Sequence, residues 1–250
     1  MTGATSPVLI AAAGVLAGVV GTAGGITSLI SYPALLAAGV PALGASVVNN
    51  VALVACWPGS ALASRPELRG RGRWLRQWAW VAAAGGVAGA ALLLSTPSQA
   101  FSRVVPFLVA AGSLALLAQP WISARFQGRA RDNAPVLLTG LLAMSIYNGY
   151  FGAGSGVMTL TLLLVTVDDH MARANALKNM LIGASSVLSA LAFIIFYRVD
   201  WQAVVPLSIG LLAGSMIGPR VARRIPARLL RWLAALLGIA LAVRLWMAPA

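Results

Sequence analysis

The sequence predicts an all-α membrane protein of two inverted-topology repeats, each a Gly-broken helical hairpin plus three transmembrane helices, about 8 to 10 membrane helices in all. Three observations point there. The 250 residues are 60% hydrophobic and 9% charged, far from the roughly 25% charge of a soluble domain. Apolar runs of bilayer-crossing length recur along the whole chain. The glycine cluster NGYFGAGSG, Asn148 to Gly156, also has a counterpart near the N-terminus in GVVGTAGGI, Gly18 to Ile26.

Apolar runs cover Val8 to Ala63, Trp74 to Leu94, Val104 to Ile122, Val136 to Val167, Ala172 to Tyr197, Val204 to Pro219 and Leu229 to Met247. Most can cross a ~30 Å hydrocarbon core as helices at ~1.5 Å per residue, and the alternation of a membrane barrel is absent. Each half opens on a glycine-interrupted stretch, Val8 to Ala38 and Val136 to Val167. Such a stretch is too long for one ~20-residue span and short for two, so it reads as a hairpin that returns to its own side. Spans follow near 42 to 64, 76 to 95 and 104 to 121, then 171 to 197, 202 to 219 and 228 to 247. Three ordered echoes relate the halves. Gly18, Gly21 and Gly25 align with Gly149, Gly152 and Gly156; ASVVNNVAL with ANALKNMLI; and Gly85 and Gly89 with Gly210 and Gly214. A hairpin plus three spans is an odd number of crossings, so the second repeat is expected to be inverted. The expected division is 1–124 for the first repeat, 125–134 for a basic cytoplasmic linker and 135–250 for the second.

The net charge of +13 does not indicate nucleic acid, because the basic residues collect in short linkers. With both termini outside, the loops at 65 to 76, 122 to 134, 169 to 178 and 220 to 231 fall inside and hold all the Lys and Arg residues except Arg103, Arg198 and Arg244. That is the positive-inside pattern of a multi-pass membrane protein. Trp74, Trp78, Trp121, Trp201, Trp232 and Trp246 lie near segment ends, where interfacial anchors sit. The start MTGATSPV lacks a basic n-region and reads as a mature N-terminus. Five acidic residues, Glu67, Asp132, Asp168, Asp169 and Asp200, fall at predicted segment ends. Intramembrane carboxylate clusters, a Cys-His pair and metal-ligand spacings are absent, so neither an enzyme nor a metal or cofactor is expected. Cys56 is the lone cysteine and reads as a small buried side chain.

Inverted repeats with interrupted helices are the architecture of secondary transporters, with the site near the midplane. The paired hairpins GTAGGI and YFGAGSGV, each followed by a helix with an Ala-x-x-x-x-Asn pattern, resemble the TauE/SafE family of sulfite and organosulfonate exporters. The resemblance covers about Val8 to Leu245. It implies movement of small sulfur-containing anions across the plasma membrane, coupled to the ion gradient, in a fold of two inverted repeats. Thr22, Ala23 and Ser155 stand where that family has more glycine or aliphatic residues.

A glycine break inside a bilayer frees amides that must find protein, water or ligand. At a helix start they carry about half a positive charge, so an anion is their natural occupant. Candidate groups are Thr22, Gly24 and Gly25 in the first break, and Tyr147, Asn148, Gly152, Gly154, Ser155 and Gly156 in the second. Thr27 and Ser28 add hydroxyls. The glycines also serve helix approach, as small-residue spacing does at Gly14 and Gly18. Lys178, the only lysine, sits seven residues into a helix expected to start near Met171. That is ~10 Å below the surface. It either faces a polar cavity, attracting an anion or exchanging a coupling proton, or snorkels to the interface. Asn175 and Asn179, with Asn49 and Asn50 across the pseudo-twofold, are amides in apolar helices that want partners, as substrate lining or as interhelical links. His170, beside Asp168 and Asp169, reads as a helix cap. The expected partners are a small anionic substrate, the lipid bilayer and a coupling proton or ion. A phosphate-binding nucleotide loop is excluded, since no Lys-Ser/Thr follows the glycines.

Overall fold

In hydrocarbon the backbone has to satisfy its own hydrogen bonds, and a chain this apolar does so as helices. The computed structural model describes residues 7–126, 133–168, 170–222 and 227–247. Its elements are α1 (Pro7–Gly24), α2 (Thr27–Ala37), α3 (Ala42–Leu53), α4 (Cys56–Ala63), α5 (Arg65–Leu68), α6 (Gly72–Ser95), α7 (Ser98–Phe126), α8 (Ala134–Tyr150), α9 (Ser155–Thr166), α10 (Met171–Phe196), α11 (Trp201–Ala222) and α12 (Ala227–Met247). All are helices, and there is no strand among the described residues. Five stretches are long and apolar enough to cross a membrane: Ala42–Ala63, Gly72–Ser95, Ser98–Ile122, Met171–Phe196 and Trp201–Gly218. Large apolar side chains such as Leu16, Phe107, Ile195 and Ile209 point outward. In lipid that exposure costs nothing.

The expected elements form with two differences. The span at 42–64 is divided, because Pro58 lacks the amide that would donate to Val54, and the chain turns at Val54 and Ala55 before α4. α7 is longer than expected, taking in Ser98 to Arg103 ahead of the apolar run. Most of the 125–134 linker, Asp132, Asp169, Arg223 and Arg224 lie outside the described residues, as do the first six residues.

Small residues set the helix crossings. A Cβ on Gly14 would lie 2.7 Å from the Leu207 carbonyl oxygen, and one on Gly18 would lie 2.7 Å from that of Leu211, so α1 rides directly on α11. The contact has a counterpart between α6 and α8. There, a Cβ on Gly85 would meet Ser145 at 2.6 Å, and one on Gly89 would meet the Ile146 carbonyl oxygen at 2.1 Å. Each hairpin therefore leans on a helix from the other half.

The hairpin turns meet in the interior. Gly25 (φ 78°), between α1 and α2, and Gly152 (φ 84°) and Gly154 (φ 81°), between α8 and α9, take the left-handed conformation. A Cβ on Gly25 would stand 2.6 Å from the Gly156 carbonyl carbon, and one on Gly156 would stand 2.5 Å from the Gly25 oxygen. The two breaks thus cross backbone on backbone. Tyr32, Phe101 and Phe151 are fully buried beside them, with Tyr32 and Phe151 edge to face at 5.0 Å.

At one end of the molecule, Asp168 draws two loops together. Its carboxylate accepts from Arg71 at 2.8 Å, from Arg173 at 2.8 and 3.0 Å, and from the His170 amide at 3.0 Å. His170 holds the N-cap position of α10 but Asp168 supplies the capping oxygen. Burial alone would raise the Asp168 pKa, yet the hydrogen bonds from Arg173 and the His170 amide, with the charges of Arg173 and Arg71, hold it below the ordinary carboxylate value. Trp78, expected as an interfacial anchor, is instead buried in a second apolar cluster with Leu141, Leu163 and Leu177. Trp121, Trp201, Trp232 and Trp246 are exposed.

Substitution separates backbone strain from collision at these turns. Gly39 shares the left-handed conformation (φ 84°), but a Cβ there would have nothing within 4 Å, so Gly39→Ala should cost about 1–2 kcal/mol. Gly25→Ala adds a backbone collision, and thermal unfolding in detergent should show a clearly larger loss than at Gly39. Asp168 stabilises while ionised, so its contribution is complete above the ordinary carboxylate pKa and disappears as pH falls through its lowered folded value. Asp168→Asn should cost about 1–3 kcal/mol at neutral pH and flatten the acid limb of the unfolding profile.

Candidate functional site

Below the crossed turns, toward the Asp168 end, lies a cavity of about 50 Å³. That is room for a few waters or one small ion. Its roof is built from the breaks themselves: Gly21, Thr22 and Gly25 from the first, Gly152, Ser155 and Gly156 from the second. Its walls come from α4 and α10. Asn148, Lys178 and Asn179 reach it, together with Thr27, Ser28, Cys56, Trp57 and Ser60.

Lys178 dominates the electrostatics. Its side chain is 1% exposed, and Nζ has no hydrogen-bond partner among the described residues. It does not snorkel. An ammonium at such depth costs about 2.5–3.5 kcal/mol even on insertion scales. No carboxylate lines the cavity to offset it. The nearest elements offer neutral dipoles: the Ser60 hydroxyl, which donates to the Cys56 carbonyl at 2.8 Å, and the Cys56 thiol, which donates to the Leu211 carbonyl at 3.8 Å. The arrangement is an electropositive polar pocket in an apolar surround.

The second break is held by its own side chains. Asn148 donates to the Ser185 and Ser186 hydroxyls at 3.2 and 3.3 Å, and its Oδ1 accepts from Ser155 at 2.8 Å. Ser155 also donates to the Gly152 carbonyl at 2.8 Å. One amide thus pins the turn to α10 and helps set where α9 begins, at Ser155. Asn175 and Asn179 donate to the Thr22 carbonyl at 3.0 and 3.4 Å, tying α10 to the end of α1. The Thr22 hydroxyl turns back to the Gly18 carbonyl at 2.6 Å.

Of the fourteen residues singled out in the sequence, eight line the cavity: Thr22, Gly25, Asn148, Gly152, Ser155, Gly156, Lys178 and Asn179. The other six lie off its wall. Asn49 stands behind Ser28, itself a lining residue, donating to its hydroxyl at 3.0 Å and accepting from Ser31 at 2.5 Å. Asn50 donates to the Ser46 carbonyl at 3.1 Å. Tyr147 donates to the Leu108 and Ala153 carbonyls at 3.2 and 2.7 Å, bracing the turn. Gly154 lies against Gly112, Gly24 ends α1, and Asn175 stays outside the lining although it bonds to the carbonyl of Thr22, a lining residue. Of Lys178 and the four asparagines, only Lys178 and Asn179 line the cavity; Asn49 is held by Ser28 and Ser31, and Asn50 donates to the Ser46 backbone carbonyl one turn back while its Oδ1 has no partner among the described residues.

Trp57, Ser60 and Gly183 escaped notice in the sequence, and Cys56 was read only as a small buried side chain. The Trp57 indole packs against Gly183, where an added Cβ would come within 2.2 Å of it. The available signals were the Cys56 and Ser60 pair, four apart on one helix face, and Pro58 breaking the span beside them.

The model of the family described as Sulfite exporter TauE/SafE matches residues 9–245. A probable membrane transporter protein, ORF9, from a Sinorhizobium species is 28% identical over 94% of this chain and 90% of its own. The probable membrane transporter protein YfcA of Escherichia coli K12 is 26% identical over 82% of this chain and 77% of its own. A probable membrane transporter protein of Haemophilus influenzae is 26% identical over 77% and 76%. No solved structure matches the chain. A match over nearly the full length, on a helical multi-pass frame with a polar cavity beneath paired helix breaks, makes this chain a member of the TauE/SafE family and a membrane transporter.

Proposed function

We propose that the protein is a secondary transporter of a small anion, best matched by a sulfur oxyanion such as sulfite or a sulfonate, working by alternating access between two inverted repeats in the plasma membrane, with both termini outside. One observation carries the reading: Lys178, buried and with its Nζ unpartnered among the described residues, lines a cavity roofed by two helix breaks. An anion would supply the missing counter-charge. The Gly156 amide at the start of α9 and the hydroxyls of Thr27 and Ser28 would supply donors suited to sulfonyl oxygens. The inverted-repeat division at 1–124 and 135–250 is supported by the paired contacts of α1 with α11 and of α8 with α6. It is supported too by Gly25 and Gly156, aligned in the two repeats, lying against each other. Loops 65–76 and 169–178 meet at Asp168, in keeping with a shared cytoplasmic side.

Alternating access fits better than a passive anion channel. A channel needs a continuous wet path, whereas the cavity is small and the Tyr32 and Phe151 rings packed beside the breaks are fully buried. Flux of labelled sulfite and methanesulfonate into liposomes holding the purified protein tests the reading. Lys178→Ala and Asn179→Ala should each yield a monodisperse protein with flux reduced at least about tenfold, the effect of removing about 1.4 kcal/mol of anion attraction. Unchanged flux in both variants would overturn the site, and absence of flux for both anions in the unaltered protein would overturn the substrate class.

A further inference from the structure

We propose that Lys178 is the proton-binding group of the transport cycle, so that each anion crosses together with one proton. The proposal rests on the cavity being the anion site. Lys178 Nζ is buried without an acceptor among the described residues, and no other ionisable group on the helices packed against α10 both lines the cavity and lacks a partner. Cys56 on α4 is the only other ionisable side chain on the wall, and its thiol donates to the Leu211 carbonyl. Tyr147 on α8 donates to two carbonyls. Asp168 is taken by Arg71 and Arg173 at the first turn of α10. Arg65 and Glu67 on α5, Arg73 and Arg76 on α6, and Tyr150 on α8 lie outside the cavity lining. The described parts of α1, α3 and α9 carry no ionisable side chain.

An ammonium with neither acceptor nor counter-charge is disfavoured in hydrocarbon. Two events relieve it: capture of an anion, or loss of the proton. The closed, loaded site then holds an ammonium and an anion, and the closed, empty site holds a neutral amine. On loading, the amine lone pair takes a proton from water and forms an N–H bond; on release the proton returns to water on the other side as the anion leaves. No electron changes hands. Because neither closed form buries an unpaired charge, both can reorient, and anion and proton move in the same direction. A lysine that stayed protonated throughout would restrict the protein to exchanging one anion for another.

The test uses the full chain in detergent with methanesulfonate, which remains ionised from neutral to alkaline pH. Proton uptake on binding is read by calorimetry in buffers of different ionisation enthalpy. The expected result is uptake approaching one proton per anion on the alkaline side, with Kd weakening there about tenfold per pH unit. Lys178→Arg, whose guanidinium keeps its proton, should flatten that dependence. Binding by the unaltered protein without proton uptake and with a pH-independent Kd would overturn the proposal. The same pH dependence persisting in the arginine variant would also overturn it. If the arginine variant binds no anion, the two readouts on the unaltered protein decide. If the unaltered protein binds no methanesulfonate at any pH, the anion site itself falls and the proton proposal with it, an outcome distinct from binding without protons.

Discussion

Everything at the centre of this molecule depends on the backbone contact between Gly25 and Gly156. A helix interrupted in hydrocarbon leaves amides and carbonyls that no lipid can satisfy. Here the two interruptions are placed against each other and against polar side chains. Asn148 and Ser155 hold one turn, while Asn175 and Asn179 hold the Thr22 carbonyl beside the other. Any side chain beyond hydrogen at either glycine would enter the opposing backbone. The contact also sets the scale of the cavity, whose roof is the underside of the crossing.

The crossing joins one glycine from each half, and the chemistry around it differs between the halves. On α3, Asn49 occupies the position aligned with Lys178 and is tied to Ser28 and Ser31. On α10, Lys178 lines the cavity with its Nζ unpartnered among the described residues. The aligned positions thus carry a hydrogen-bonded neutral amide in one half and an unpartnered amine in the other. The proposed alternating access would exchange which side is closed, with the glycine crossing as the fixed point and the Asp168 clamp among the contacts that must yield.

Much of the frame was legible in the sequence because it rests on one-dimensional signals. Apolar run lengths located the spans, and the second break, the start of α9 at Ser155 and the start of α10 at Met171 follow from glycine and charge placement. The site was only partly legible. Lys178 stood out as the sole lysine in an apolar helix, but its neighbours depend on how helices rotate about their axes. The asparagines of α3 found serines that period alone did not single out, and the wall made by Cys56, Trp57 and Ser60 follows from the turn that Pro58 imposes ahead of α4. Trp78 sits near a segment end yet packs inward, because position along a helix does not decide which face it occupies.

The chain supplies its own reporter for the central claim, since Cys56 is its one cysteine and lies on the cavity wall. The most direct measurement is the rate at which iodoacetamide alkylates Cys56 in the unaltered protein, with and without methanesulfonate. An anion held at Lys178 would fill the space in front of the thiol, so the rate should fall in a saturable manner as methanesulfonate rises, while chloride at equal ionic strength leaves it unchanged. A rate indifferent to methanesulfonate at saturating concentration would contradict an anion site at this cavity.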